Sequence, residues 1–337
     1  MATIPSLTRT IDDAFTHTWL DIKPEATDQI LESNVISAAL KEKGCFKTQV
    51  GGDRITEPVR YGVGTATHIA KGDTLSHGEV QTETMAWWNW KYTSSHASRS
   101  LIDDQQNSGP LAIKKLVTTR LKAAKEAMED DLESALTEAV DTAGGTDLRA
   151  DRDPDSLYNI LPGGSYYNQA AGTYVYGNID TGTGNTWWQG QYKSASGAAE
   201  LVLLDDMRNL YNTCMRGRRR MAPNLIITEQ NMFEVYEAYA QERSQILSNM
   251  GSRLADLGYE VLKFKGKDMV WSNAITDGTM FFLNTNFIKV VYDPNLWYQM
   301  TEWKDVGLQN ERVAHINSAW NMICSQLRCQ GFLGTYS

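Results

Sequence analysis

The run Arg216-Gly217-Arg218-Arg219-Arg220 is the strongest chemical signal in the chain. Closely spaced guanidinium groups suit planar oxyanions, either phosphate or the carboxylates of a neighbouring molecule. The run follows a helical pattern that begins near Ala198. Cations there also complement the negative end of a helix dipole. The formal net charge of −9 over 337 residues opposes a dedicated nucleic-acid binder. It favours a structural or subunit-contact role for these arginines, and leaves room for a protein that merely encloses nucleic acid.

The other reactive residue types form no catalytic pattern. The five histidines (His17, His68, His77, His96, His315) have no metal-ligand spacing. His68 and His77 flank a turn symmetrically and read as solvated surface histidines, with a metal held between them as the alternative. The four cysteines are scattered, which suits free, buried thiols in a reducing compartment. Cys324 and Cys329 match neither a zinc nor a redox motif. Asp104, Asp130, Asp131, Asp205 and Asp206 read as solvated helix faces. No HExxH, paired CxxC, phosphate-binding loop or GxSxG elbow is present, and Gly62-Val63-Gly64 lacks the third glycine of a dinucleotide site. The expectation is no enzyme, no cofactor and no metal. No apolar run reaches the ~18 residues of a membrane span, and the first residues carry no signal-peptide core.

The elements that would position the arginines are unusual. From Arg54, Val59, Tyr61 and Val63 alternate with Arg60 and Gly62. This is the period of a half-buried strand. Lys71-Gly72-Asp73 reads as a turn, and Val80, Met85, Trp87, Trp88, Trp90 and Tyr92 form a return arm. Arms of about fifteen residues would reach roughly 50 Å. A two-stranded ribbon of that length has no core of its own. It lies either on an adjacent subunit or in an ordinary sheet of its own domain.

A long helix follows. Pro110 opens it, Gly144-Gly145 ends it, and Ile113, Val117, Leu121, Ala124, Met128, Leu132, Leu136 and Val140 make one apolar stripe. At 1.5 Å per residue it spans about 50 Å. The spacing is nearer four than a heptad's, so a single helix lying across a sheet is expected.

Upstream, an arm with one helix is expected, opened by Pro24-Glu25 and stopped at Gly44, with Ile30, Leu31, Val35, Ile36 and Leu40 on its apolar side. The loop-rich 146–195 leads into Trp187-Trp188, which either anchor an interface or cap the lobe's own core. Beyond it, Leu201, Leu204, Met207 and Leu210 mark a helix, Leu225–Thr228 a strand, and residues 229–247 a second helix. Strands at 259–264, 268–272, 279–284 and 287–292 complete a compact α/β lobe. The tail alternates through Trp303, Val313, Ile316 and Ile323 and reads as strands returning to the lobe of the long helix.

In this order, the parts resemble a tailed-bacteriophage major capsid protein of the Hong Kong 97 fold. Gly51 to Tyr61 is similar to the start of that family's extended loop, and Thr84 to Lys91 to its return strand. Asp103 to Ile113 resembles the entry to its spine helix, and Pro223 to Thr228 its axial lobe. Phe282-Leu283-Asn284 and the Trp303 region resemble its return to the peripheral lobe.

The resemblance implies an α+β fold with an N-terminal arm (1–48), an extended loop (49–100) and a peripheral domain with spine helix (101–150). An axial domain (151–293) and peripheral return strands (294–337) complete it. It also implies pentamers and hexamers tiling an icosahedral shell around double-stranded DNA that is held without sequence reading. Lys71, Gly72 and Asp73 would be the loop tip. Together with Trp187, Trp188, Arg216, Arg218, Arg219 and Arg220 they are the subunit-contact candidates. Some members join a loop-tip lysine to a neighbour's asparagine, for which Lys71 and Asn295 are formal candidates. About fifty residues precede the loop, so a separate scaffolding protein is expected, with portal and decoration proteins as further partners. An encapsulin-type compartment shares the fold, and a soluble enzyme with an unfamiliar site is the third reading.

Overall fold

The computed structural model describes residues 34–62, 64, 66, 68–74, 78, 81–100, 102, 116–138, 152–161, 175–216, 219–242, 262–306 and 310–334. In chain order, helix α1 (Val35–Glu42) leads into strands β1 (Phe46–Thr48), β2 (Arg54–Arg60), β3 (Glu83–Asn89) and β4 (Lys91–Ser100). Helix α2 (Leu116–Thr137), the single turn α3 (Leu157–Ile160), and β5 (Val175–Tyr176), β6 (Ile179–Asp180) and β7 (Gln191–Ser194) follow. Then come α4 (Ala199–Met215), β8 (Leu225–Thr228), α5 (Gln230–Glu242), β9 (Leu262–Phe264), β10 (Lys267–Trp271) and β11 (Met280–Leu283). The last strands are β12 (Ile288–Tyr292), β13 (Gln299–Met300), β14 (Lys304–Asp305), β15 (Glu311–Cys324) and β16 (Gly331–Gly334). The architecture is α+β, as expected.

The first sheet is built on the long strand β15. One edge of it pairs with β4 along that strand's whole length, from Glu311 opposite Ser100 to Trp320 opposite Lys91. The other edge takes β12, β13 and β14 in turn, and β1 adds in parallel beyond β12. Helix α2 lies across β4 and β15, where Ala124 and Met128 pack on Ala97 and Ile316. The described part of the expected stripe is present: Ala124, Met128, Leu132 and Leu136 are buried, and Lys125 and Glu129 pair at 3.5 Å on the polar side, while Ile113 and Val140 lie outside the described residues. The expected helix ends at Pro110 and Gly144 lie outside the described residues. So do residues 1–33, including the expected start of the arm helix, whose stop at Gly44 (φ +72°) is observed.

The second sheet runs β7-β16-β11-β8-β10-β9. Its two central strands, β8 and β11, are buried at every residue, because both faces are covered. Ile226, Met280, Phe282 and Leu333 meet helices α4 and α5, while Leu225, Ile227, Phe281 and Leu283 meet α3 and the first sheet. Helix α4 approaches so closely that a Cβ on Gly331 would sit 2.7 Å from Cys214 Sγ.

Several expectations need correction. Leu201 is 81% exposed, and Leu203 takes its place in the stripe Ala199, Leu203, Met207, Leu210 and Cys214. Strand β12, expected in the α/β lobe, pairs with β15 in the first sheet, and β16, expected among the returning strands of the tail, pairs with β11 in the second. The chain therefore crosses between sheets at Asn284–Phe287 and again at Ser325–Gln330. These crossings are held by buried Gln330, which accepts Asn284 N–H at 2.7 Å and donates to Asn284 O at 3.1 Å.

Candidate functional site

The described ribbon covers the base of the expected hairpin, and Val63 and Val80 of its outer arms lie outside the described residues. β2 and β3 pair over seven residues a side, Arg54 opposite Asn89 through Arg60 opposite Glu83. Tyr61 and Gly62 both donate to Thr82 O, and the regular ladder ends there. The ribbon's base also has a core within its own chain. Ile55, Val59, Ala86 and Trp88 are buried in the main cluster. Trp88 sits edge-on to Tyr176 at 5.6 Å, and Trp87 N–H donates to Gly177 O at 3.2 Å. Glu57 forms an ion pair with Lys289 of β12. The opposite face, with Thr56, Pro58 and Met85, is exposed.

At the tip, Asp73 N–H donates to Ala70 O at 3.2 Å, and Gly72 takes a φ of +97°. This is a turn that needs glycine at its third position. Lys71, Gly72 and Asp73 are all exposed. Asn295 is exposed as well, and its N–H is held by Asp293.

The tryptophan pair splits. Trp188 is 1% exposed and donates its indole N–H to Tyr176 O at 2.9 Å. It caps its own chain's core and is not available to a neighbour. Trp187 is half-buried and stacks on Tyr61 at 5.0 Å, which ties the first loop residue beyond the ribbon to the body.

The arginine run gathers at one end of the second sheet. Arg216 closes α4 in the left-handed conformation (φ +46°), and Arg219 and Arg220 form a short turn before β8. All three are exposed, and Arg218 lies outside the described residues. Sequence reading missed Arg328 and Lys265, which the sheet brings to the same end. Arg328 is held below its usual pKa by burial and by Arg216, and Lys265 by burial and by Arg208. No local spacing signals this convergence, since strand order creates it.

Burial pushes the thiols up, Cys45 to about 11 and Cys324 and Cys329 to about 12, so they are poor nucleophiles. Cys214 is raised as well. No three His, Cys, Asp or Glu side chains among the described residues are placed to share a metal. His96 and His315 face each other across β4 and β15 with ring centres 6.4 Å apart, a pairing the sequence did not suggest. The expected partner of His68, His77, lies outside the described residues. An open cavity of about 500 Å³ between α1, α2 and Tyr292, Trp297 and Tyr298 holds Lys41, Lys125 and Glu129. Burial, with Glu129 and Asp131 nearby, pushes Tyr298 up to about 12.

Comparison with solved structures shows what this arrangement is. The capsid of cyanophage A-1(L) matches 93% of this chain and 95% of its own, at 13% identity and a TM-score of 0.65. The fold is of the Hong Kong 97 type. The capsid of Myoviridae phage XM1 matches 94% of this chain and 97% of its own, at 11% identity and a TM-score of 0.58. The SrpI encapsulin of Synechococcus elongatus matches 99% of this chain and 96% of its own, at 11% identity and a TM-score of 0.54. No protein-family model and no curated protein matches the sequence. A fold of this type comprises an extended β-hairpin loop, a peripheral lobe with a long spine helix and an α/β axial lobe.

Proposed function

We propose that this chain is the major capsid protein of a tailed double-stranded DNA bacteriophage. Copies assemble as pentamers and hexamers into an icosahedral shell that encloses the genome. The observation that carries this reading is the near end-to-end match to a phage capsid, 93% of this chain against 95% of the other. The exposed outer face and tip of the ribbon fit the same role.

In this reading Lys71, Gly72 and Asp73 reach a neighbouring subunit, and Arg216, Arg218, Arg219 and Arg220 lie near the capsomer centre. Packaged DNA is held without base reading, and separate scaffolding, portal and decoration proteins take part. Assembly takes place in the host cytoplasm and the product resides in the virion. Of the expected domain bounds, we propose moving β12 to the peripheral domain and β16 to the axial domain, in line with their sheets.

The encapsulin match over 99% of this chain favours a second reading, a protein compartment. The contents of purified particles separate the two. The chain is expressed with and without its neighbouring genes, and particles are treated with nuclease and analysed for DNA and protein. Nuclease-protected double-stranded DNA supports the capsid, and a co-purified enzyme with no DNA supports the compartment.

A further inference from the structure

The second sheet carries opposite charges at its two ends. Strand β8 gives the direction. Arg219 and Arg220 lie just before it, and Arg216 precedes them at the end of α4. Strand β10 runs parallel to β8, so Lys265, in the turn before β10, arrives at the same end. Strand β16 is also parallel to β8, because each is antiparallel to β11, and Arg328 precedes β16. Lys265 lies over the Tyr211 ring at 4.5 Å. The Nε of Arg328 is buried with no hydrogen-bond partner, while its Nη1 donates to Thr186 O at 2.7 Å. The carboxylate at this end, Asp268 of β10, is taken up by Lys43 and Lys263, and among the described residues Arg216, Arg219, Arg220, Lys265 and Arg328 form no ion pair with a carboxylate.

The opposite end is acidic. Glu229 directly follows β8, Glu234 lies on the second turn of α5, and Asp277 sits in the loop between β10 and β11. They line one open cleft of about 310 Å³ with Gln230, Asn231 and Asn273. Glu229 is committed to the fold, accepting N–H from Asn231 and Gly278, whereas Glu234 and Asp277 are exposed. The four residues of β8 separate the two ends by ~13 Å.

We propose that the basic end of one copy docks on the acidic cleft of a second copy, head to tail. Such a contact is heterologous, and repeated heterologous contacts close into rings when the rotation allows. The inference rests on the shell reading and adds the pair of surfaces that meets within a capsomer. Charge complementarity identifies the occupant: arginine forks pair well with carboxylates, and the chain itself is acidic overall, with a net charge of −9.

Three variants test it, each first checked for wild-type melting. The basic-end variant is Arg219→Glu/Arg220→Glu, the acidic-end variant is Glu234→Arg/Asp277→Arg, and the third carries all four changes. Capsomers are counted by native mass spectrometry and particles by electron microscopy. Each double variant should lose at least tenfold in capsomer yield, and the quadruple variant should recover it. An equimolar mixture of the two double variants should recover hexamers but not pentamers, since complementary contacts then alternate around the ring.

Wild-type yield from both double variants would overturn the inference while leaving the shell reading intact. Loss in the doubles with no recovery in either the mixture or the quadruple variant would also overturn it. So would intact capsomers that lose only packaged DNA, which would assign the arginines to phosphate. Failure of the wild-type chain to associate at all would overturn both readings.

Discussion

The carboxylate of Glu133 on α2 accepts the backbone N–H groups of Ile36 and Ser37, each at 2.8 Å. It closes the first turn of α1, where helix N–H groups have no partners of their own. Asn34, at the N-cap position, makes no side-chain cap bond, so Glu133 supplies the cap from a distance of 97 residues in sequence. One side chain thus fixes α1 to α2.

Removing it should be costly. Glu133→Ala leaves buried N–H groups unsatisfied and is expected to destabilise the subunit by about 1.5–3 kcal/mol. Urea denaturation of the unassembled subunit measures this, and a shift under 0.5 kcal/mol would contradict the capping role.

The same residue should give stability a pH signature. Burial raises the Glu133 pKa above its ordinary 4.5, and the backbone bonds from Ser37 and Ile36 only partly oppose that. A carboxyl raised on folding contributes stability that is fully present below the unfolded pKa. That contribution is lost as pH rises through the folded pKa. Glu133→Gln cannot ionise, so the stability difference, wild type minus variant, should shrink as pH rises from about 4.5 to the plateau. A difference that stays flat, or grows with pH, would show that burial is not the dominant influence.

Gly177 is a contact on which the base of the ribbon depends. It has a φ of +59°, and a Cβ there would lie 2.6 Å from the Trp88 ring. Gly177→Ala should cost about 1–3 kcal/mol through strain and overpacking together. Trp88 should shift in the fluorescence spectrum, and a melting temperature equal to wild type would contradict the packing described.

The sequence was most informative where periodicity acts locally. The stripe Ala124, Met128, Leu132 and Leu136 and the fully apolar strand Leu225–Ile227 were legible because their neighbours along the chain set their environment. Leu201 was misread because a single leucine fits two adjacent helical stripes, and only the sheet below α4 selects Leu203. Long-range pairing was illegible. Nothing near Ile288 says that it joins β15, nothing near Arg328 that it lies beside Arg216, and nothing near His96 that it faces His315. Trp188 shows the same limit, since its spacing was neutral between an interface and the core that it in fact caps.

The ribbon tip should matter for assembly and not for folding. The exposed Lys71, Gly72 and Asp73 are remote in sequence from the buried base at Ile55, Val59, Ala86 and Trp88. Joining Tyr61 to Thr82 through a two-residue Asn-Gly turn should therefore leave melting within a few degrees of wild type. The same variant should fail to form particles. Normal particles from it would remove the loop from the subunit contact.

The most direct measurement is negative-stain electron microscopy of the purified wild-type chain, with mass photometry of the same sample. The account predicts closed shells, tubes or rings of five and six subunits. A monodisperse monomer at every concentration and salt condition, even beside its neighbouring gene products, would contradict it.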